Sequence, residues 1–351
     1  MLESGAIAPE SAMSRPNAPA RRATMRKLRP CLFACLCLGL VCAAAPAAAQ
    51  WLSRDAEAMG TTVRIALWHT DAAAGERLVD AALAELRRVG REFHPWDEGS
   101  QLARLNADAA RGWQPVSAEL LALLQRAHHY SELSDGAFDI TFASVGRLHD
   151  YRSGVAPDEG ERERARDLID YRQIEIDADH RRVRYTREGV VADLGGIAKG
   201  HAVARAAALL RKAGVTHAEV TAGGDTHFLG DHRGRPWSVG VQHPRRRGES
   251  LALLPLIDEA ISTSGDYERY FVADGVRYHH IIDPAQGRSA ADLRSASVIG
   301  PDALSTDALS TSVFVLGAAD GLALIETLPG YDALLVDGAG RLHYSSGLAR
   351  R

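Results

Sequence analysis

Asp307 and Thr311 stand four residues apart in the run Asp307-Ala308-Leu309-Ser310-Thr311. On a helix, positions i and i+4 project from one face, so this carboxylate and this hydroxyl converge. Two hard oxygen donors, joined by a backbone carbonyl and the oxygens of a phosphate, suit Mg²⁺. The neighbours Leu304, Val313, Phe314, Val315 and Leu316 are apolar, so the carboxylate is headed for a dry site and needs a partner, which a cation supplies. An N-terminal capping role explains Asp307 equally well.

Three other runs carry polar groups on glycine-rich or strand-like backbone. Asp193-Leu194-Gly195-Gly196-Ile197-Ala198-Lys199-Gly200 reads as a strand-to-helix junction. Its glycines let backbone approach a ligand, and the free N–H groups of a helix start favour phosphate. It is neither a Walker motif nor a dinucleotide fingerprint, and a tight turn explains it alone. Thr221-Ala222-Gly223-Gly224-Asp225 ends a strand in two glycines and a carboxylate, which by itself is a turn. In His279-His280-Ile281-Ile282-Asp283-Pro284, strand alternation sends the two imidazoles to opposite faces, so they cannot share one metal. One of them can face a cleft as a proton acceptor, although a satisfied structural role is the commoner fate.

The elements that must position these groups are legible in outline. Met59–Leu67 reads as a strand, and 75–93 as a helix with a stripe from Leu78 to Val89. The run 95–100, starting Pro95-Trp96-Asp97, breaks that helix. Ser117 caps a second helix that stops at Ser134-Asp135-Gly136, and a charged surface helix falls within 157–170. Ile174–Ile176 and Val183–Tyr185 form a hairpin, and Val190–Leu194 reads as a strand entering Gly195-Gly196. A helix over 200–213 stops at Gly214. Strands follow at 218–221 and 237–241. A hairpin turning at Asp274-Gly275 joins 270–273 to 277–282, and 296–300 is another strand. A helix over 302–316 and a hairpin at Asp337-Gly338 close the chain. Hairpins and clustered helices predict an α+β fold rather than a doubly wound parallel sheet.

Of the 351 residues 46% are hydrophobic and 25% charged, which excludes wholesale disorder and a polytopic membrane protein. The run 25–50 has a positive start (Arg26, Lys27, Arg29), an apolar stretch from Cys31 to Ala45, and small residues through Ala47-Ala48-Ala49. That is the pattern of a signal peptide cut after Ala49, too short to span a membrane. Met25 is the more natural start, with 1–24 a misassigned extension, and 50–351 is one domain. A lipid anchor finds little support, because Cys35 comes too early and Val41 before Cys42 is not small. All four cysteines lie in the leader, so the mature chain has no disulfide, thiolate nucleophile or cysteine-bound metal. Residues 1–49 hold six Lys/Arg and two Asp/Glu. The remainder, with 35 basic and 43 acidic residues, carries about −8, which argues against nucleic acid as a partner.

Taken together and in order, these runs resemble the ApbE family, the periplasmic FAD:protein FMN transferases of bacteria. The resemblance runs from Met59-Gly60-Thr61 through 134–139, the Asp193 run, Gly223-Gly224-Asp225, 262–265 and the His280 run to Asp307–Thr311 and Val315-Leu316-Gly317. It implies an ApbE-like, T-fold-like arrangement of antiparallel sheets with packed helices. It places FAD contacts at Met59, Trp96, Ala137, Phe138, Asp139, Asp193, Lys199 and His280. Magnesium ligands fall at Asp307 and Thr311, with backbone carbonyls of Gly196 and Leu304 completing the set. Trp96 stands where other members carry Tyr, Ser289 replaces a usual proline, and Thr306 a usual alanine. The stretch 148–171 matches nothing in the pattern. The implied activity is Mg²⁺-dependent transfer of FMN from FAD to a Thr or Ser hydroxyl of an acceptor flavoprotein, a redox-complex subunit, with release of AMP and His280 as base. A flavin carrier without transferase activity and an FAD pyrophosphatase are the alternatives. No membrane span is expected in the mature chain, and its expected location is the periplasm.

Overall fold

The computed structural model describes residues 49–350. Its centre is an eight-stranded sheet whose strands neighbour one another in chain order. They are β1 (Gln50–Ala58), β2 (Thr61–His69), β3 (Ala218–Ala222), β4 (Asp225–Leu229), β5 (Ala260–Gly265), β6 (Leu293–Gly300), β7 (Asp332–Asp337) and β8 (Leu342–Tyr344). Every neighbouring pair is antiparallel. The fold is therefore α+β, as the sequence predicts.

Period-two alternation gives the sheet two apolar faces. Val63, Ile65 and Leu67 of β2 turn to one face, with Val220 of β3 and Val298 of β6. Phe228, Ile261, Ile299 and Leu334 turn to the other. The first face is covered by helices α1 (Ala72–Glu92), α3 (Ala198–Lys212) and α4 (Ala303–Glu326), with α2 (Ala118–Leu133) packed on α4. The second is covered by the hairpin of Trp237–Gln242 and Ser250–Leu256. Helix α1 shows why a helix belongs there. Val79, Ala82, Leu83, Leu86 and Val89 form its buried stripe, and the Asp71 side chain caps it by accepting from Ala74 N–H. Each fully buried Leu or Val contributes about 1.5–3 kcal/mol.

Four expectations change. The stretch 190–194 is not a strand, because its backbone finds partners outside any sheet. Val191 N–H donates to Ser144 Oγ (3.1 Å), Ala192 N–H to Asn106 Oδ1 (2.9 Å) and Asp193 N–H to the Ile140 carbonyl (2.8 Å). The hairpin strand starting at Val276 ends at His279, not Ile282. Strand β1, absent from the sequence reading, is an edge strand with only Leu52 buried, too little alternation to notice. Helix α4 runs ten residues past Leu316, across a kink at Gly317 (φ 80°, ψ −176°) that only glycine adopts without strain. By composition α4 is long and apolar enough to cross a membrane, but half of that window is buried inside the protein. It is a core helix carrying Asp307.

Candidate active site

Turns and element ends, joined by two side chains from within α4, enclose a cleft of about 700 Å³. Its walls are the β1–β2 turn (Met59, Gly60), the end of α1 with His94–Trp96, and the segment Ala137–Ala143. Opposite stand the start of α3, the end of β5, Arg269 with His280, and Asp307 and Thr311 of α4.

The floor is the crossing of α3 on α4. A Cβ at Gly200 would lie 2.2 Å from the Ala303 carbonyl oxygen and 2.6 Å from Asp307 Cβ, so only glycine allows this approach. In return Gly200 N–H donates to Asp307 Oδ2 at 2.8 Å. Lys199 Nζ donates to Asp225 Oδ2 at 2.6 Å and to Asp307 Oδ1 at 3.3 Å. Both carboxylates are 2% exposed. Burial and the Asp225 charge raise the Asp307 pKa. Burial works against the Lys199 charge, but the two carboxylates outweigh it and hold its pKa above the usual lysine range. Lys199 is thus a clamped counter-ion, although it also lines the cleft.

This clamp gives a stability prediction. Lys199→Met leaves two buried carboxylates facing each other, at an expected cost of about 3–5 kcal/mol in thermal or urea unfolding. A carboxyl whose pKa is raised only in the folded state makes stability fall as pH rises. The loss should therefore deepen above the ordinary carboxylate range and shrink below it. A midpoint equal to wild type at pH 8 would rule the clamp out.

Thr311 Oγ1 lies 3.3 Å from Ser264 Oγ, and a Cβ on Gly196 would sit 3.3 Å from the same Thr311 oxygen. A carboxylate, a hydroxyl and the Gly196 backbone therefore converge. Among the described residues no three His, Cys, Asp or Glu side chains form a metal cluster. A metal here would rest on hydroxyl and backbone oxygens beside one carboxylate, a donor set that fits a hard cation such as Mg²⁺. Leu304, whose carbonyl the resemblance adds to the set, is not among the residues lining the cleft; it sits in the first turn of α4 and lines a separate pocket with His201 and His227.

Met59, Trp96, Ala137, Phe138, Asp139, Asp193, Lys199 and His280 all line the cleft. Their roles in it differ. Trp96 is 53% exposed at the rim. Asp139 has both oxygens engaged: Thr141 N–H and Oγ1 donate to Oδ1 (2.7 and 2.6 Å), and Tyr171 N–H to Oδ2 (2.7 Å). Burial pushes its pKa up to about 6. These bonds brace the wall of the cleft that Asp139 lines. Asp193 accepts from Gly195 N–H (2.7 Å), and burial raises its pKa.

The two histidines part company. His279 is 3% exposed, its Nε2 meets the Ala290 carbonyl at 2.7 Å, and its ring stands edge-on to Phe314 at 5.6 Å. Ser289 at the usual proline position serves it, since Ser289 Oγ accepts from His279 N–H (2.9 Å) and donates to the His279 carbonyl (2.7 Å). His280 lines the cleft, and its buried Nδ1 has no hydrogen-bond partner among the described residues. Burial, then the Arg269 charge, push its pKa down to about 3.

Sequence reasoning missed Arg147, His149, Tyr151 and Arg269, which also line the cleft. The His149 and Tyr151 rings stack at 5.7 Å and 8°, and Tyr151 OH donates to the His279 carbonyl (3.3 Å). The unmatched stretch thus braces the histidine pair from behind. Its helix Glu159–Arg166 opens with a capping box, Asp158 with Glu161, a signal that was legible. Arg269 left no spacing signal.

A model of the ApbE family matches residues 59–335, from the first cleft residue into β7. The chain belongs to the ApbE family. A Treponema pallidum relative named FAD:protein FMN transferase is 33% identical over 343 residues, covering 91% of this chain and 94% of that one. The ApbE protein of Thermotoga maritima superposes with a TM-score of 0.79 at 35% identity, over 86% of this chain and 99% of that one. The flavin transferase ApbE of Vibrio cholerae gives 0.77 at 26%, with the same coverages. The cleft of this ApbE-family chain is therefore framed by the region that defines the family.

Proposed function

We propose that this ApbE-family chain is an Mg²⁺-dependent FAD:protein FMN transferase. The observation that carries the reading is the convergence of Asp307, Thr311 and His280 on one cleft of about 700 Å³. Asp307, Thr311 and the Gly196 backbone would hold Mg²⁺, which when bound offsets charge on the phosphate oxygens. The acceptor's Thr or Ser oxygen forms a bond to the FMN phosphorus, and the phosphorus–oxygen bond to AMP breaks. His280, which lines the cleft, takes the hydroxyl proton, and AMP leaves. The products are AMP and FMN joined to the acceptor by a phosphoester. Lys199 opposes the rise in the Asp307 pKa and holds the carboxylate in place, and Trp96 offers a flat apolar face at the rim.

The test is incubation with FAD, Mg²⁺ and candidate flavoprotein subunits, followed by in-gel flavin fluorescence. A fluorescent acceptor band supports transfer. FMN and AMP without a labelled band would point to a pyrophosphatase, and bound FAD with neither product to a carrier.

We further propose that the chain acts in the periplasm on redox-complex subunits that face it. The leader lies outside the described residues, but the first described strand begins at Gln50, where cutting after Ala49 would leave the mature end. Sequencing the N-terminus of periplasmic material should read from Gln50. A cytoplasmic protein retaining 25–49 would overturn this.

A further inference from the structure

The transfer reading asks the cleft to hold a diphosphate, yet its floor is short of positive charge. Lys199 carries one positive charge there, against the carboxylates of Asp225 and Asp307. Two of its three ammonium donors are committed to them. A bound divalent ion would be shared between Asp307 and the incoming phosphates, so a further cation is needed near the phosphorus. Arg269 is placed to supply it. It lines the cleft, and among the described residues its guanidinium has no hydrogen bond or ion pair. The residue is held by its backbone: His280 N–H donates to the Arg269 carbonyl at 3.2 Å. The side chain reaches the β1–β2 turn, where a Cβ on Gly60 would lie 3.2 Å from the guanidinium. Gly60 has φ +70° there, so the turn that builds one wall also leaves room for this side chain. Its charge is felt by Asp193 and His280 alike. Arg147 also lines the cleft, but no bond in the structure ties its backbone to His280.

Resting on the transfer reading, we propose that Arg269 is the diphosphate-binding residue of this cleft. Its planar fork takes two phosphate oxygens beside His280, and Lys199 serves the floor instead of the ligand. A guanidinium with no partner among the described residues can move onto an anion at little structural cost. It presents two parallel N–H donors that a lysine cannot match.

The experiment compares Arg269→Gln and Arg269→Lys with wild type. FAD affinity is read by fluorescence quenching and ADP affinity by displacement of FAD, with thermal unfolding as the control for folding. Arg269→Gln should weaken FAD and ADP by the same factor, about ten- to a hundredfold, and leave the unfolding midpoint in place. Arg269→Lys should recover part of the loss, because it restores charge without the fork. A fall in FAD affinity with ADP unchanged would assign Arg269 to the flavin ring, and unchanged FAD affinity would free it of any ligand role. Either result overturns the proposal alone. Wild type that binds neither FAD nor ADP would overturn the transfer reading together with it.

Discussion

Asp307→Ala should abolish Mg²⁺-dependent FMN transfer, a loss of about 10³-fold or more, while the protein still folds. A metal's stabilisation of transition-state charge amounts to several kcal/mol, and Asp307 is the only carboxylate of its donor set. Folding survives because removing this carboxylate leaves Lys199 paired one-to-one with Asp225 at 2.6 Å. What is lost structurally is the acceptor of Gly200 N–H, about 1–3 kcal/mol for a buried unsatisfied donor. Asp307→Asn separates the two effects. Its amide oxygen can still accept from Gly200, so stability should return while transfer stays lost. Metal binding is measured by calorimetry and transfer by flavin fluorescence of an acceptor. Wild-type turnover of Asp307→Ala at ordinary Mg²⁺ would refute the metal assignment.

His280→Ala should slow transfer by about 10²–10⁴-fold, the usual contribution of a positioned base, with a much smaller effect on FAD affinity. His279→Ala is the contrasting change. It removes the ring that meets the Ala290 carbonyl and packs on Phe314, so it should lower stability and spare the rate constant of the folded fraction. Burial, then the Arg269 charge, push the His280 pKa down to about 3. An imidazole that acidic is a weak base. A bound diphosphate brings negative charge beside it and should raise that value toward the ordinary ~6.5. Without FAD, the His280 NMR signals should therefore stay flat from pH 5 to 8, and with FAD they should titrate inside that window. Equal losses of rate and affinity in His280→Ala would make it a binding residue. Flat signals in both states would end its role as a base.

The two histidines also show how far a local rule reaches. Alternation along a strand predicted that they diverge, and they do, although the strand stops at His279. What separates them is their partners: His279 is held by the Ala290 carbonyl and Phe314, whereas His280 lines the cleft. The reading of 190–194 as a strand failed for a reason no local rule contains. Its apolar residues are buried, but its hydrogen-bond partners are Asn106, Ser144 and Ile140, far away in sequence.

Sequence alone determined the class of fold, the helical convergence of Asp307 with Thr311, and the glycine runs at the ends of elements. Each of these rests on periods of 2 or 3.6 residues, or on glycine's missing Cβ, which act within a few residues of the chain. The tertiary structure alone decided which polar groups remain available. Asp139 looked like a ligand and is spent on Thr141 and Tyr171. Lys199 looked like a phosphate contact and is clamped by Asp225 and Asp307. Arg269, in no motif, lines the cleft with no side-chain hydrogen bond or ion pair among the described residues. Availability depends on which groups the packing of α3, α4 and β4 brings within about 3 Å of each other. Those partners lie up to 108 residues apart, as Lys199 and Asp307 do, beyond the reach of any spacing rule.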